Sequence, residues 1–146
     1  MPEAEAGAGA GAGPRLCRTG NELELTLSSE AARLLGAALR RPQADLATRV
    51  DGSPAPYAAW LARILVRRRG TGAVAASIDE AASALVLEGG GWSLGLLATN
   101  VEGFSGDAVK PGDHLHIEYH DGHAYLAPGQ VCIIVVADDG ERAPAG

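Results

Sequence analysis

Residues 21–40 read NELELTLSSEAARLLGAALR, and this stretch decides how the chain folds. Its first seven residues alternate between leucine and polar residues, which predicts a strand with one buried face. Ser28 and Ser29 follow, with side-chain oxygens that accept hydrogen bonds from the free amides of a helix start. Apolar residues then recur at helical spacing as far as Arg40, and Pro42 ends the helix. The stretch therefore predicts a strand followed closely by a helix.

The same order of elements recurs sixty residues further along the chain. An apolar run at 84–88 predicts a strand, Gly89–Gly91 end it, and a second apolar stripe at helical spacing continues to about Phe104. This spacing is compatible with a strand–helix unit that is used twice. The stripe of the second helix consists of Trp92, Leu96, Leu97 and Val101. The leucines that coincide under the sixty-residue shift are Leu25, Leu27 and Leu34 with Leu85, Leu87 and Leu94.

Further strands are predicted on both sides of this second unit. A hairpin is expected from Thr71–Ile78 and Ala84–Glu88, although the string Ser77–Glu80 also fits the capping box of a helix start. The arginines of Arg67–Arg69 are expected to guard a sheet edge. Together the elements predict an α+β fold, with two helices and a mostly antiparallel sheet of five to seven strands. The remaining expected elements are a strand at Ala44–Val50, one helical turn after Pro56 that runs into a strand over Arg63–Arg69, and strands at His114–Tyr119 and Val131–Ala137.

Length and composition indicate one folded domain. The chain has 146 residues, of which 47% are hydrophobic, enough apolar material for a single core. Residues 1–14 carry a Gly/Ala repeat and are expected to form a disordered tail, 15–138 the domain, and 139–146 a polar tail. No apolar run approaches the length of a membrane helix, and the N-terminus lacks the pattern of a secretory signal. We therefore expect a cytoplasmic protein without a membrane partner.

Charge is divided unevenly along the chain. The formal net charge is −6, which argues against nucleic-acid binding because that activity needs a surplus of Lys and Arg. Residues 1–78 hold ten arginines against seven acidic residues, whereas residues 79–146 hold Lys110 and Arg142 against eleven acidic residues. An acidic half attracts a basic partner and speeds association with it.

Sequence signals for catalysis are weak. The chain contains no Cys-x-x-Cys pair, and the string Gly103-Phe104-Ser105-Gly106 has the wrong spacing for a Gly-x-Ser-x-Gly nucleophile elbow. Cys17 and Cys132 each lie in an apolar, alternating stretch, so we expect reduced, packed thiols rather than nucleophiles. We therefore expect that the protein is not an enzyme and uses no cofactor.

One segment holds all four histidines of the chain: residues 112–130 read GDHLHIEYHDGHAYLAPGQ. On a strand, alternate side chains point to the same face, which here collects three imidazoles and one carboxylate. Two histidines and a carboxylate are chemically able to hold Zn or Fe(II), so metal binding is one hypothesis. The other is a polar, solvated strand face with His123 capping the turn. The side chains that share the face are those of His114, His116, Glu118 and His120.

The C-terminal part of the chain resembles a known family. Its histidine strings, closed by an apolar strand, are similar to the C-terminal signature of immunity protein 32, a family of small bacterial proteins from polymorphic toxin systems. The resemblance covers about residues 84–136 and, more loosely, 20–136. It departs from the family pattern at Gly129-Gln130, where a Ser or an acidic residue is expected. The strings that carry it are His114–Tyr119, His123–Pro128, Leu85–Gly89, Leu96–Asn100 and Glu102–Phe104.

The resemblance implies a binding function rather than catalysis. Such a protein sits on a cognate protein toxin inside the producing cell and blocks it by charge and shape complementarity. A scaffold or regulatory subunit that binds no toxin is a further hypothesis, and the oligomeric state stays open. Exposed aromatic and acidic groups are expected to anchor the toxin. The residues expected to contact it are His114, His116, Glu118, His120, Asp121, His123 and Tyr125.

Overall fold

Two helices and nine strands are seen in the computed structural model, which describes residues 13–106 and 109–138. The predicted α+β class is confirmed, with more strands than expected. The expected tails lie outside the described residues, except for Gly13 and Pro14. In chain order the elements are β1 (Arg15–Thr19), β2 (Glu22–Leu27), α1 (Ser29–Leu39), β3 (Gln43–Ala47), β4 (Ala59–Trp60), β5 (Arg63–Arg68), β6 (Ala75–Asp79), β7 (Ala84–Gly89), α2 (Gly91–Glu102), a 3-10 turn (Gly103–Ser105), β8 (His114–Ile117) and β9 (Cys132–Ala137).

The strands form two mixed sheets rather than one. The first sheet has the order β4-β1-β2-β9-β8, and the second has the order β3-β5-β7-β6. Each sheet has one parallel pair, β2 with β9 and β5 with β7, and its other pairs are antiparallel. One continuous core contains apolar side chains from both sheets and both helices. This order leaves β8 and β3 at sheet edges.

The two halves of the chain repeat one architecture and exchange strands. Each half is a hairpin, a helix and a second antiparallel pair: β1-β2-α1-β3-β5 and β6-β7-α2-β8-β9. The first hairpin of each half joins the second pair of the other half. The parallel register is the same in both sheets, because Glu22 lies beside Cys132 as Ala84 lies beside Arg63. The duplication is therefore one of backbone pairing as well as of element order.

The repeat is not a constant sixty-residue shift. β1 and β6 begin 60 residues apart, but β2 and β7 begin 62 apart, because the turn that joins β6 to β7 is two residues longer. The alignment of leucines that was expected for a shift of sixty residues is therefore displaced by two positions. The leucines that correspond are Leu23 and Leu25 with Leu85 and Leu87.

The helices begin and bury their faces largely as the sequence predicts. The Oγ of Ser28 accepts a hydrogen bond from the Ala31 amide at 3.1 Å. Leu35 of α1 and Leu97 of α2 are both buried, at equivalent positions. Trp92 was expected in the buried stripe of α2 but is 73% exposed, because its position in the first turn faces solvent. Within the described residues, neither helix is long and apolar enough to cross a membrane.

The two helices approach closely at a glycine. A Cβ at Gly36 would collide with the side chain of Glu102, so a larger residue there would require that side chain to move. Arg40 donates two hydrogen bonds to the Glu102 carboxylate, at 2.7 and 3.0 Å. These bonds lower the pKa of Glu102. The helix pair is therefore fixed by close packing and by an ion pair at one end.

Two local predictions are wrong, and the helical alternative to the predicted β6–β7 hairpin is excluded. The chain after Pro56 forms turns and β4, which pairs with β1, instead of a helical turn. The string Ser77–Glu80 ends β6 and begins its hairpin turn, where Asp79 accepts the Ala82 amide at 3.1 Å instead of capping a helix. Arg67–Arg69 do not guard an edge, because β5 lies between β3 and β7. The two wrong predictions, after Pro56 and at Arg67–Arg69, depend on which strands pair over long distances, and local pattern does not determine this.

Candidate functional site

β8 places its histidines on the solvent side of the first sheet. His114 and His116 are exposed, Leu115 is half-buried and Ile117 is buried, so the predicted alternation is seen. The two imidazole rings lie edge to face, with centroids 5.4 Å apart. The strand ends two residues earlier than predicted, but alternate residues remain exposed as far as residue 120.

The outer side of β8 has free main-chain groups. The Ala137 amide at the end of β9 donates a hydrogen bond to the Asp113 carbonyl at 2.8 Å. Because hydrogen-bonded and non-hydrogen-bonded pairs alternate in an antiparallel ladder, this bond determines which residues of β8 bond to β9. Leu115 and Ile117 therefore exchange hydrogen bonds with β9, and the N–H and C=O groups of His114 and His116 point away from it. Among the described strands, none pairs with this side of β8. The strand also lacks the Lys and Pro residues that often protect sheet edges.

A tight turn brings His123 beside His120. The amide of His123 donates to the His120 carbonyl at 3.0 Å, and Gly122 has a φ of +81°. Nδ1 of His123 accepts hydrogen bonds from the amides of Tyr125 and Leu126, at 3.2 and 3.1 Å. Burial, and then the neighbouring His120, lower the pKa of His123. His123 is therefore a neutral cap of the turn, as one sequence hypothesis expected.

Tyr125 is not exposed, contrary to its expected role as a surface anchor. Its side chain is 7% exposed, and its hydroxyl accepts a hydrogen bond from Asn100 at 2.8 Å. Burial raises the pKa of Tyr125. The Val74 amide donates to the Tyr125 carbonyl at 2.7 Å, and the Ala127 amide donates to the Val74 carbonyl at 2.8 Å. Tyr125 therefore ties the loop after β8 to α2 and to the second sheet.

The four histidines form two pairs rather than one cluster. His114 contacts His116, and His120 contacts His123 with ring centroids 4.8 Å apart. In residues 13–106 and 109–138, no three His, Cys, Asp or Glu side chains are placed to hold a metal ion together. The described chain thus offers no ready-made site for the metal hypothesis.

The two cysteines are free thiols on neighbouring parts of the first sheet. Cys17 is buried in β1 and Cys132 is half-buried in β9, with β2 between them. Burial and a nearby carboxylate raise the pKa of each, the carboxylate being Glu24 for Cys17 and Glu118 for Cys132. A thiol with a raised pKa is a poor nucleophile at neutral pH.

A shallow groove of 600 Å³ adjoins β8. It lies where the end of α2, the 3-10 turn and the start of β8 meet, and sequence analysis missed it because these segments are distant in the chain. Phe104, Val109 and Leu115 give it an apolar wall. Its other lining residues are Asn100, Gly103, Gly112, Asp113 and His114.

β3 holds the equivalent edge of the second sheet. The shared register places Asp45 where β8 has His116, and Arg63 where β9 has Cys132. Arg63 forms an ion pair with Asp45 and donates to it from Nε at 3.1 Å. The groove beside this edge has a volume of 540 Å³ and is lined by Arg41 and Arg67 among others.

We use the term histidine edge for β8 and the turn after it. It presents two imidazoles of the strand and the polar groups that follow. All of these side chains are exposed to solvent. They belong to His114, His116, Glu118, His120 and Asp121.

Comparison with known proteins finds a family match in this part of the chain. Residues 84–138 match the model of a family described as Immunity protein 32. The matched segment contains β7, α2, the histidine edge and β9. No curated protein and no solved structure matches the chain. The resemblance drawn from the histidine strings is confirmed, because residues 84–138 match the family that those strings indicated.

Proposed function

We propose that the chain is a non-catalytic immunity protein that binds a cognate protein toxin through the histidine edge and blocks it in the cytoplasm of the producing cell. The family match over residues 84–138 supports a toxin-immunity role. The site is proposed from the exposure and chemistry of the edge, because proteins of this kind act by complementarity to a partner.

The observation that carries the proposal is a row of exposed polar side chains that make few contacts within the described chain. His116 contacts the ring of His114 and makes no side-chain hydrogen bond or ion pair within the described chain. His114 has only a long contact from Nδ1 to the Gly112 carbonyl, at 3.4 Å. These imidazoles are therefore available to a partner as donors or acceptors.

The charge around the edge favours a basic partner. Residues 109–138 carry Lys110 as their one Lys or Arg residue beside four acidic ones. Complementary charge raises the rate of association and disfavours wrong partners. We therefore propose that the toxin presents a basic surface here. The four acidic residues are Asp113, Glu118, Asp121 and Asp138.

Co-expression with a toxin tests the proposal. The toxin domain encoded beside the chain's own gene is expressed alone and together with the chain, and survival and co-purification are measured. We expect protection and a stable complex with the wild-type chain, and weaker protection and weaker binding with the double variant His114→Ala/His116→Ala. The matched control is Gln43→Ala/Asp45→Ala, which changes the equivalent positions of β3 and should leave both intact.

The stoichiometry of inhibition separates binding from catalysis. The purified chain is titrated into a fixed amount of toxin, and we expect inhibition to end at one chain per toxin. Complete inactivation by a tenth of an equivalent would indicate an enzyme instead. A wild-type chain that neither protects nor binds the toxin would overturn the proposal and favour a scaffold or regulatory role.

A further inference from the structure

We propose that the toxin adds an extended segment of its own chain to β8, as a new edge strand of the first sheet, and places a large apolar side chain in the adjoining groove. This inference rests on the proposed function and states how the partner is held. Strand addition at a free sheet edge obtains affinity from main-chain hydrogen bonds and specificity from side-chain pockets.

Two sets of hydrogen bonds in β9 establish which groups of β8 are free. Toward β2, the Cys132 amide donates to the Asn21 carbonyl at 2.9 Å, and the Asp138 amide donates to the Leu27 carbonyl at 2.8 Å. Toward β8, the Ala137 amide donates to the residue 113 carbonyl at 2.8 Å. Odd-numbered residues of β9 therefore bond to β8, and these pair with odd-numbered residues of β8.

The remaining main-chain groups of β8 match those that a further strand needs. His114 and His116 each turn one N–H and one C=O outward, two residues apart, which is the spacing of a β-ladder. Their side chains stand on the solvent face, so the edge itself is not covered by them. As far as residues 13–106 and 109–138 are concerned, the sheet is thus open on this side over the length of β8.

The groove and the local charge indicate which kind of toxin segment would fit beside β8. Phe104, Val109 and Leu115 form an apolar wall beside the first residues of β8, and no Lys or Arg lines the groove. Glu118 and Asp121 lie exposed beyond the other end of the strand. The added segment should therefore be extended, carry one large apolar side chain at one end, and be basic.

The other described edges fit such a segment less well. Arg41 and Arg67 line the groove at β3 and would repel a basic strand. β4 has only two residues. The start of β6 is bridged by the chain near Leu126. The histidine edge is therefore the edge to which we assign strand addition.

A proline at residue 116 tests the inference. His116→Pro removes an N–H that points away from β9, so the sheet keeps its own hydrogen bonds, and proline is tolerated at such edge positions. His116→Ala removes the imidazole and keeps the N–H. The affinity of each purified variant for the toxin domain encoded beside the chain's gene is measured by calorimetry. We expect His116→Ala to weaken binding about fivefold and His116→Pro at least fiftyfold.

Controls distinguish loss of strand addition from loss of fold. Ala47→Pro places proline at an outward N–H of the equivalent edge β3 and should leave affinity and melting temperature nearly unchanged. Amide exchange of the wild-type chain, read by NMR with and without toxin, gives a measurement that needs no variant. The amides of residues 114 and 116 should become protected in the complex.

The outcomes separate the two proposals. If the wild-type chain binds the toxin but proline and alanine at residue 116 weaken binding equally, and the two amides gain no protection, strand addition is wrong and the immunity function stands. If the wild-type chain does not bind the toxin, the proposed function is wrong, and the proposal of strand addition is wrong as well.

Discussion

β8 and β3 occupy equivalent places in the two sheets but present different chemistry. At β3, Asp45 is held by Arg63 from the neighbouring strand. At β8, the equivalent position is His116, and the position of Arg63 is taken by Cys132, which offers no charge. At the β3 edge, the charged side chain of Asp45 has a partner within the molecule. At the β8 edge, the polar side chains are exposed to solvent.

The grooves beside the two edges differ in the same way. The groove at β3 is lined by Arg41 and Arg67, and the groove at β8 by Phe104, Val109 and Leu115. The backbone pairing of the two halves is the same, so the difference lies in the side chains and in the connection from helix to edge strand, which is residues 40–42 before β3 and residues 103–113 before β8. A duplicated fold thus supports one edge that is completed internally and one that is free for recognition.

The largest expected effect tests whether the two halves of the chain contribute equally to the stability of the core. Leu35→Ala and Leu97→Ala empty equivalent, buried positions of α1 and α2. Each should lower the free energy of unfolding by about 3 kcal/mol, from lost burial and the cavity left behind. Urea denaturation measures it, with Leu34→Ala, which is half-buried, as a control that costs about 1 kcal/mol. A loss below about 1 kcal/mol at one leucine only would show that the halves are not energetically alike.

A smaller effect is expected when β8 is given the chemistry of β3. Cys132→Arg places a guanidinium where the second sheet has Arg63, beside Glu118. It should neutralise that carboxylate and repel a basic partner, and so weaken toxin binding about tenfold, or about 1.4 kcal/mol. Calorimetry compares it with Cys132→Ser, which should bind as the wild type does. Equal affinities of the two variants would show that charge at this edge does not govern binding.

The smallest effect concerns the turn after β8, which has no counterpart at β3. Burial and His120 lower the pKa of His123 in the folded state below its value in the unfolded chain. The unfolded chain therefore binds a proton more readily, and the stabilisation is present above the unfolded pKa and is lost as pH falls through and below it. Protonation of Nδ1 would also remove the acceptor for the amides of Tyr125 and Leu126. The urea midpoint should fall between pH 7 and pH 5.

His123→Ala gives the matched measurement for this pH dependence. The variant should be less stable than the wild type at pH 7 and should lose less stability between pH 7 and pH 5. An identical slope in both chains would assign the pH dependence to other groups.

The sequence was sufficient for elements whose signal is local. The leucine alternation of β2, the serine cap of α1 and the alternation of His114 with His116 all depend on neighbouring residues, and each is seen in the structure. The hairpin of β6 and β7 was also found, because its turn lies between two apolar runs.

Long-range features could not be predicted in the same way. Nothing in local pattern states that β2 pairs with β9 across more than one hundred residues, or that β5 lies inside a sheet. Tyr125 was expected at the surface as an aromatic anchor for the toxin, but it is buried. Its burial depends on Asn100, which α2 brings beneath it. The groove beside β8 was missed for the same reason.

The exchange of strands between halves has a consequence for how the protein is made. β2 emerges early from a ribosome, but its parallel neighbour β9 is the last described strand to be synthesised. Contacts between such distant parts of a chain close slowly. A newly made molecule therefore stays incomplete until translation has passed β9, and under the proposed immunity function a cell would need finished molecules before its own toxin is made.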